Sequence, residues 1–188
     1  MGSAVSSELR VAAIESLWQA KGDPSAFLAS YIMDSDEEVR ASAAWAMSAT
    51  DESGNVGSQL LGTLQGEQDP EVRRRLYQAL GNQESFDIGT TLALVQRETD
   101  PAALMAGMDL LAASLRENPT PAVQTFFDQT AAPALKNSAL TGQSSHERMA
   151  AVIALVRAST PSAVAAFQQL AQNATPPPFS LTPPATPP

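Results

Sequence analysis

The chain has 188 residues, of which 44% are hydrophobic and 16% are charged, so it is long and apolar enough for one sizeable buried core. Its net charge of −9 argues against a nonspecific nucleic-acid binder, which needs a basic surface to displace counterions from phosphates. Cysteine is absent, which excludes disulfides and thiolate chemistry, and no apolar run reaches the ~20 residues of a membrane-spanning helix.

The first residues carry no recognisable targeting signal. Residues 1–5 are predicted to be a disordered N-terminus or the remnant of an expression tag, because they begin Met1-Gly2-Ser3. A secretory signal would need a basic start and an apolar centre, which this segment lacks. The sequence therefore leaves the compartment open, and a cytoplasmic one is favoured unless a signal peptide has been removed.

Apolar residues recur three and four positions apart along most of the chain, which is the periodicity of amphipathic helices. We expect capping boxes at Ser35 with Glu38 and at Ser144 with Glu147, and we expect Pro133 to kink or split its helix. The predicted helices cover residues 6–20, 24–33, 37–49, 56–65, 70–80, 86–97, 101–116, 121–140, 149–156 and 161–173.

One short sequence motif is repeated. It reads Asp69-Pro70-Glu71-Val72-Arg73 in its clearest form, Asp36-Glu37-Glu38-Val39-Arg40 before it, and Asp100-Pro101-Ala102-Ala103-Leu104 after it. The aspartates are 33 and 31 residues apart. A period of this size is typical of stacked helical repeats, in which each unit buries its apolar face only against its neighbours.

A short helix, a turn and a second helix that begins with an Asp-x-x-Val-Arg phrase resemble the HEAT repeat. The short period is similar to that of phycobilisome-lyase-type HEAT proteins of bacteria. The resemblance covers roughly residues 6–174 and is strongest over 24–49 and 56–81; it decays after Asp100, because Leu104 stands where an arginine is expected.

The resemblance implies an all-α solenoid of about four helix pairs over residues 6–174, flanked by single half-repeat helices. The segment 175–188 is uncharged and rich in proline, so it is predicted to be a linker or a disordered tail. The first helix resembles the second half of a pair, and the last resembles the first half of another. Ile14, Leu17 and Trp18 make the first helix apolar for a cap, so an uncapped end of the solenoid predicts a weak homodimer.

In HEAT-type stacks a turn acid and the arginine of the second helix pair across neighbouring repeats. Asp34 with Arg40 and Glu67 with Arg73 share a spacing of six residues, and we expect these four to form a structural ladder. Glu98 keeps the acid where Leu104 has lost the arginine.

Counting from the arginine of each second helix predicts which side chains face outward. Positions −1, +3, +4 and +7 should face the core, and positions +1 and +5 should line the concave side as a ridge for a protein partner. The alternative is that the +1 and +5 side chains pack between repeats. The candidate ridge residues are Glu15, Trp45, Arg74, Gln78, Met105, Asp109, Met149 and Ile153.

The sequence offers no catalytic arrangement. His146 is the single histidine, and no Gly-x-Ser-x-Gly motif accompanies the serines, so we predict no enzyme activity, no cofactor and no metal site. The leading hypothesis is a noncatalytic scaffold that binds a basic or neutral protein or peptide on its concave face. The alternatives are a chromophore-lyase-like or enzyme-associated accessory subunit and, more weakly, a HEAT-like binder of damaged nucleic acid.

Overall fold

The computed structural model describes residues 6–17, 24–48 and 56–173, and all regular structure within these ranges is helical. This confirms the all-α prediction. The predictions for residues 1–5, for Trp18 and for the segment 175–188 lie outside the described residues. The helices are α1 Ser7–Ser16, α2 Ser25–Tyr31, α3 Glu37–Met47, α4 Val56–Gly66, α5 Pro70–Leu80, α6 Ile88–Val95, α7 Pro101–Glu117, α8 Pro121–Phe126, α9 Ala132–Thr141, α10 Ser145–Ala158 and α11 Pro161–Asn173.

The helices form two rows. The second helices of the pairs, α1, α3, α5, α7 and α10, each pack directly against the next. The first helices α2, α4, α6 and α9 pack mainly against the second helix of their own pair. The first helices α2, α4 and α6 pack little against one another, from which we infer that the row of second helices forms the concave side of the stack.

The core lies between the two rows, at the positions that the repeat register predicts. Val39, Ala43, Ala44 and Met47 of α3 have no exposed surface, and Val72, Leu76, Tyr77 and Leu80 of α5 are equally buried. At matching positions α3 carries the small residues Ala43 and Ala44 and α5 carries the larger Leu76 and Tyr77, so small and large side chains are combined in one closely packed core.

Aspartates fix the start of the second helices. Asp69 accepts a hydrogen bond from the amide of Val72 at 3.0 Å, and Pro70 occupies the first turn, where its missing N–H costs nothing. The predicted capping box at Ser35 is wrong, because Asp36 is the cap and accepts from the amides of Glu38 and Val39. At the fourth pair, the hydroxyl of Ser144 accepts from the amide of Glu147 as predicted.

Pro133 does not end its helix. A π-helical turn, Phe127–Ala131, joins α8 to α9, and the amide of Ala132 bonds to the carbonyl of Phe127 five residues earlier. Pro133 then stands in the first turn of α9, directly after the π-helical turn. The expected kink or split is therefore a widened turn within one continuous helical segment.

Candidate functional site

Arginines at the start of the second helices tie adjacent pairs together. Arg40 donates from Nε to Glu67 at 2.7 Å and from Nη2 to the same carboxylate at 3.0 Å. Its Nη1 donates to the backbone carbonyl of Asp34 at 2.9 Å. One guanidinium therefore holds both the turn of its own pair and the turn acid of the following pair.

The same arrangement recurs on either side. Arg73 binds both carboxylate oxygens of Glu98 at 2.8 Å, and Arg10 donates to the carboxylate of Asp34 at 3.1 Å. Glu98 also accepts hydrogen bonds from the amides of Thr99 and Asp100 in its own turn. These partners lie 24 to 27 residues apart in sequence, so the ion pairs join successive pairs of helices.

The partners differ from the ones that the six-residue spacing suggests. The carboxylate of Asp34 binds Arg10, while Arg40 reaches only the carbonyl of Asp34. Glu98, expected to stand without an arginine, binds Arg73. In the case of Arg40, the turn of its own pair brings the residue six positions earlier close enough for a backbone hydrogen bond. The stacking of the pairs brings the acid of the following turn to the guanidinium.

Glu67 and Glu98 are almost fully covered, with side chains 6% and 3% exposed. Burial alone would raise the pKa of each carboxyl. The hydrogen bonds from the arginine and from the turn amides outweigh burial, and the pKa of both groups lies below its ordinary value. Both acids are therefore ionised in the folded protein at neutral pH.

The ladder of arginine–acid ion pairs ends with Arg73 and Glu98, because neither an arginine nor a turn acid is present at the next positions of the repeat. Leu104 replaces the arginine of α7, and Gly142 occupies the position of the turn acid before α10. A Cβ at Gly142 would lie only 2.6 Å from the carbonyl oxygen of Ser138, so no acidic side chain fits there. Arg148 keeps the backbone half of the pattern and donates to the carbonyl of Gly142 at 2.7 Å.

A groove on the concave side runs across α1, α3 and α5, and we call it the acidic groove. Its volume is about 500 Å³. Its lining carries five carboxylates and a single arginine. Glu15, Glu37 and Glu38 are exposed and form no ion pair with any other residue that the structure describes. The lining residues are Val11, Glu15, Glu37, Glu38, Ala41, Ser42, Trp45, Asp69, Glu71 and Arg75.

Trp45 forms part of the floor of the acidic groove and leaves 42% of its surface exposed. The guanidinium of Arg75 lies over its ring, 5.1 Å from the ring centroid, and also binds Glu71 at 3.1 Å. This is the geometry of a cation–π contact, in which the negative face of the indole attracts a positive charge. The ring and the surrounding acids together favour cationic side chains.

A smaller groove of about 290 Å³ continues from the other side of Trp45 towards α10. Within it Asp109 binds Arg157 at 2.6 Å. The Oδ1 atom of Asp109 and the Oε1 atom of Gln78 are buried, and neither has a hydrogen-bond partner among the residues that the structure describes. Burial raises the pKa of Asp109, and the nearby Arg157 offsets only part of this effect.

The eight candidate ridge residues do not form one continuous surface. Glu15 and Trp45 line the acidic groove, whereas Gln78 and Asp109 line the smaller groove. Met149 and Ile153 are exposed on α10, and Met105 is partly buried against the core. Arg74 binds Glu71 at the surface of α5. Arg75 and the acids of α3, absent from the sequence-based set, line the acidic groove because α3 and α5 pack side by side.

The described residues contain no group of three or more His, Asp or Glu side chains that could hold a metal ion. His146 is exposed at the start of α10. Within residues 6–17, 24–48 and 56–173, none of the helices has the length and apolar character needed to cross a membrane.

Comparison with known families agrees with the repeat geometry. The family model described as HEAT repeats matches residues 3–81, which include α1 to α5 and the ladder from Arg10 to Arg73. No curated protein and no solved structure was found to match. The narrower likeness to phycobilisome-lyase-type proteins gains no support from this match. Residues 3–81 therefore match the HEAT-repeat family, and further helix pairs continue the same stack after them.

Proposed function

We propose that the protein is a noncatalytic scaffold that holds a basic segment of a protein partner in the acidic groove. HEAT repeats commonly mediate contacts between proteins, and their stacked helices offer extended concave surfaces. The observation that carries the proposal is the half-exposed Trp45 in a groove that is also lined by five carboxylates. Aromatic side chains exposed among polar neighbours are typical anchors of protein interfaces.

The charge of the groove selects the class of partner. Three exposed glutamates form no ion pair with the other described residues, so lysine or arginine side chains of a partner would gain attraction there without displacing one. Arg75 already lies over one face of the Trp45 ring, so a partner would meet the remaining exposed surface of the indole and the neighbouring glutamates. The same acids would repel phosphates, which disfavours the nucleic-acid alternative.

A titration with model peptides tests the proposal. A fluorescently labelled peptide rich in arginine and lysine is added to the full chain, and binding is followed by fluorescence anisotropy. A peptide of the same length with glutamine at the basic positions provides the reference. We expect saturable binding of the basic peptide that weakens as salt is added, because screening reduces attraction between exposed charges.

Two sets of variants locate the binding. Replacing Glu15, Glu37 and Glu38 together by Gln should weaken the basic peptide about tenfold, which corresponds to roughly 1.4 kcal/mol. The matched control replaces three exposed glutamates outside the groove, Glu8, Glu84 and Glu117, by Gln. Equal losses in the two sets would show general charge attraction and would contradict a site in the acidic groove.

A second, independent proposal concerns association of the chain with itself. Large apolar side chains are exposed at both ends of the described stack, namely Leu9 on α1 and Met149, Ile153 and Val156 on α10. We propose a weak homodimer through these uncapped ends. None of these four side chains lines the acidic groove, so partner binding and self-association can be measured separately.

A further inference from the structure

An apolar stripe runs along one face of α10. It consists of Met149, Ile153 and Val156, which are 60%, 46% and 56% exposed. Their spacing of four and three residues places all three on the same side of the helix. Three adjacent exposed apolar side chains on one helix face favour burial against another element.

The repeat register identifies that element. Counted from the arginine of each second helix, the stripe occupies positions +1, +5 and +8. In earlier pairs these positions border the next second helix: Trp45 at +5 contacts Arg75 of α5, and Asp109 at +5 binds Arg157 of α10. By the same register, the stripe on α10 is the surface against which a following second helix would pack, and the described residues contain no such helix.

At the opposite end of the described stack, a second helix lacks its first helix. Helix α1 packs against α3 as a second helix, but no first helix precedes it among the described residues. Its Leu9 occupies the register position of Val39 and Val72 and is 63% exposed, whereas those two valines are fully buried. The small residues Ala12, Ala13 and Ser16 are also exposed on this helix.

Helix α11 has the position of a first helix, which is the element that α1 lacks. It packs against α9, α10 and the π-helical turn as the first helix of a further pair, and no second helix follows it within residues 6–173. Val164 and Phe167 remain exposed on it. Within residues 6–173, the stack thus has a second helix without its first at one end and a first helix without its second at the other.

We infer that two copies of the chain associate head to tail, with α1 of one copy packed on α10 and α11 of the other. This extends the self-association proposed above by naming the two surfaces. Leu9 would be buried against α11, as Val39 is buried within its own pair, and the α10 stripe would face the small residues Ala12 and Ser16. Such a contact joins two different surfaces, so it leaves one free end of each kind and permits longer chains.

The ladder does not extend across this contact. Arg148 binds no carboxylate among the described residues, and the residue six positions before Arg10 is Ala4 rather than an acid. The contact therefore depends on apolar burial between α1, α10 and α11. We expect an association that depends on protein concentration and changes little with salt, because screening acts on charges and not on apolar surfaces.

Sedimentation velocity of the full chain over a series of concentrations is the first test. The wild type should shift towards faster-sedimenting species as concentration rises. Leu9→Glu blocks one surface and Ile153→Glu blocks the other, and each variant alone should remain monomeric. Both residues are already exposed, and circular dichroism of each variant checks that the fold is retained. Met149→Glu serves as a second block of the α10 stripe.

Mixing the two variants distinguishes head-to-tail association from a symmetric dimer. An equimolar mixture of the Leu9→Glu and Ile153→Glu variants retains one intact surface of each kind, so it should form a dimer and no larger species. A wild type that stays monomeric, a Leu9→Glu variant that still associates alone, or a mixture without dimers would overturn the inference. Binding of the basic peptide to the same variants should be unchanged. Failure of the self-association test would therefore leave the proposed peptide binding in place, and the reverse also holds.

Discussion

Arg73 and Glu98 form a two-pronged ion pair across the boundary between two helix pairs, and the carboxylate is almost completely shielded from water. The same guanidinium donates to the carbonyl of Gln68 at 2.6 Å, so it fixes the turn before its own helix as well. Removing either partner would leave the other with an unpaired charge in a partly buried place, which is far more costly than losing a surface contact.

Replacement of Arg73 by Ala should therefore lower the free energy of unfolding by about 3 kcal/mol, the usual cost of leaving a buried charge unpaired. The neighbouring Arg74 provides the control, because its partner Glu71 is 51% exposed. Arg74→Ala should cost about 0–1 kcal/mol, as exposed ion pairs do. Urea denaturation of both variants measures the difference, and equal effects would contradict a structural role for the ladder.

The ladder also predicts a pH dependence. The pKa of Glu67 and that of Glu98 are lower in the folded chain than the ordinary value of 4.5. Ionised groups of this kind stabilise the fold above their ordinary pKa, and that stabilisation is lost as the pH falls through the lower, folded-state pKa. Unfolding free energies measured in steps from neutral pH to below the ordinary pKa should therefore decrease at the acidic end.

A variant with Gln at both Glu67 and Glu98 is the control for this dependence. It should be less stable than the wild type at neutral pH, because glutamine cannot replace a carboxylate bound to arginine. Its stability should fall less steeply towards acid, since the two titrating groups are gone. Parallel curves for the variant and the wild type would show that other carboxylates cause the acid sensitivity.

Two glycines within helices should respond oppositely to alanine. A Cβ at Gly107 of α7 would lie 2.7 Å from Cγ2 of Val95, whereas a Cβ at Gly62 of α4 meets no atom within 4 Å. Gly62→Ala should stabilise the protein by up to about 1 kcal/mol through higher helix propensity. Gly107→Ala should destabilise it, because overpacking typically costs about 1–3 kcal/mol. Thermal melting of both variants decides, and a higher melting temperature for Gly107→Ala would contradict the packing of α6 against α7.

Strain at the turn between α10 and α11 offers another prediction. Ser159 is the one residue other than glycine with a positive φ in the described ranges, at 52°. A left-handed conformation costs a residue with a Cβ roughly 1–2 kcal/mol relative to glycine. Ser159→Gly should therefore raise the melting temperature, despite losing the hydrogen bond from the hydroxyl to the carbonyl of Val156. Ser159→Val should lower it, and the reverse order would exclude this conformation.

The sequence predicts the parts of the fold that depend on local pattern. Asp69 and Pro70 mark a helix start by chemistry that acts within four residues, and Val72, Leu76 and Leu80 mark its buried face by spacing alone. The partner of Arg73, in contrast, cannot be predicted from local sequence. Glu98 lies 25 residues away, and only the offset between stacked pairs brings it within reach, which no local spacing encodes.

The candidate site illustrates the same limit. The repeat register predicts Trp45 and Glu15 on the concave side, and both line the acidic groove. The contributions of Arg75, Glu37 and Glu38 come from the side-by-side packing of α3 and α5. Likewise Pro133 signals an interrupted helix, but whether a loop or a π-helical turn results depends on how the segment packs against α7 and α11.

The fluorescence of Trp45 gives the most direct test of the acidic groove. The chain has two tryptophans, so a Trp18→Phe background leaves Trp45 as the single indole. Titration with a basic peptide that lacks tryptophan and tyrosine should change its emission saturably, and the change should disappear when Glu15, Glu37 and Glu38 are replaced by Gln. Unchanged emission at peptide concentrations that saturate binding would place the partner elsewhere and contradict the proposed function.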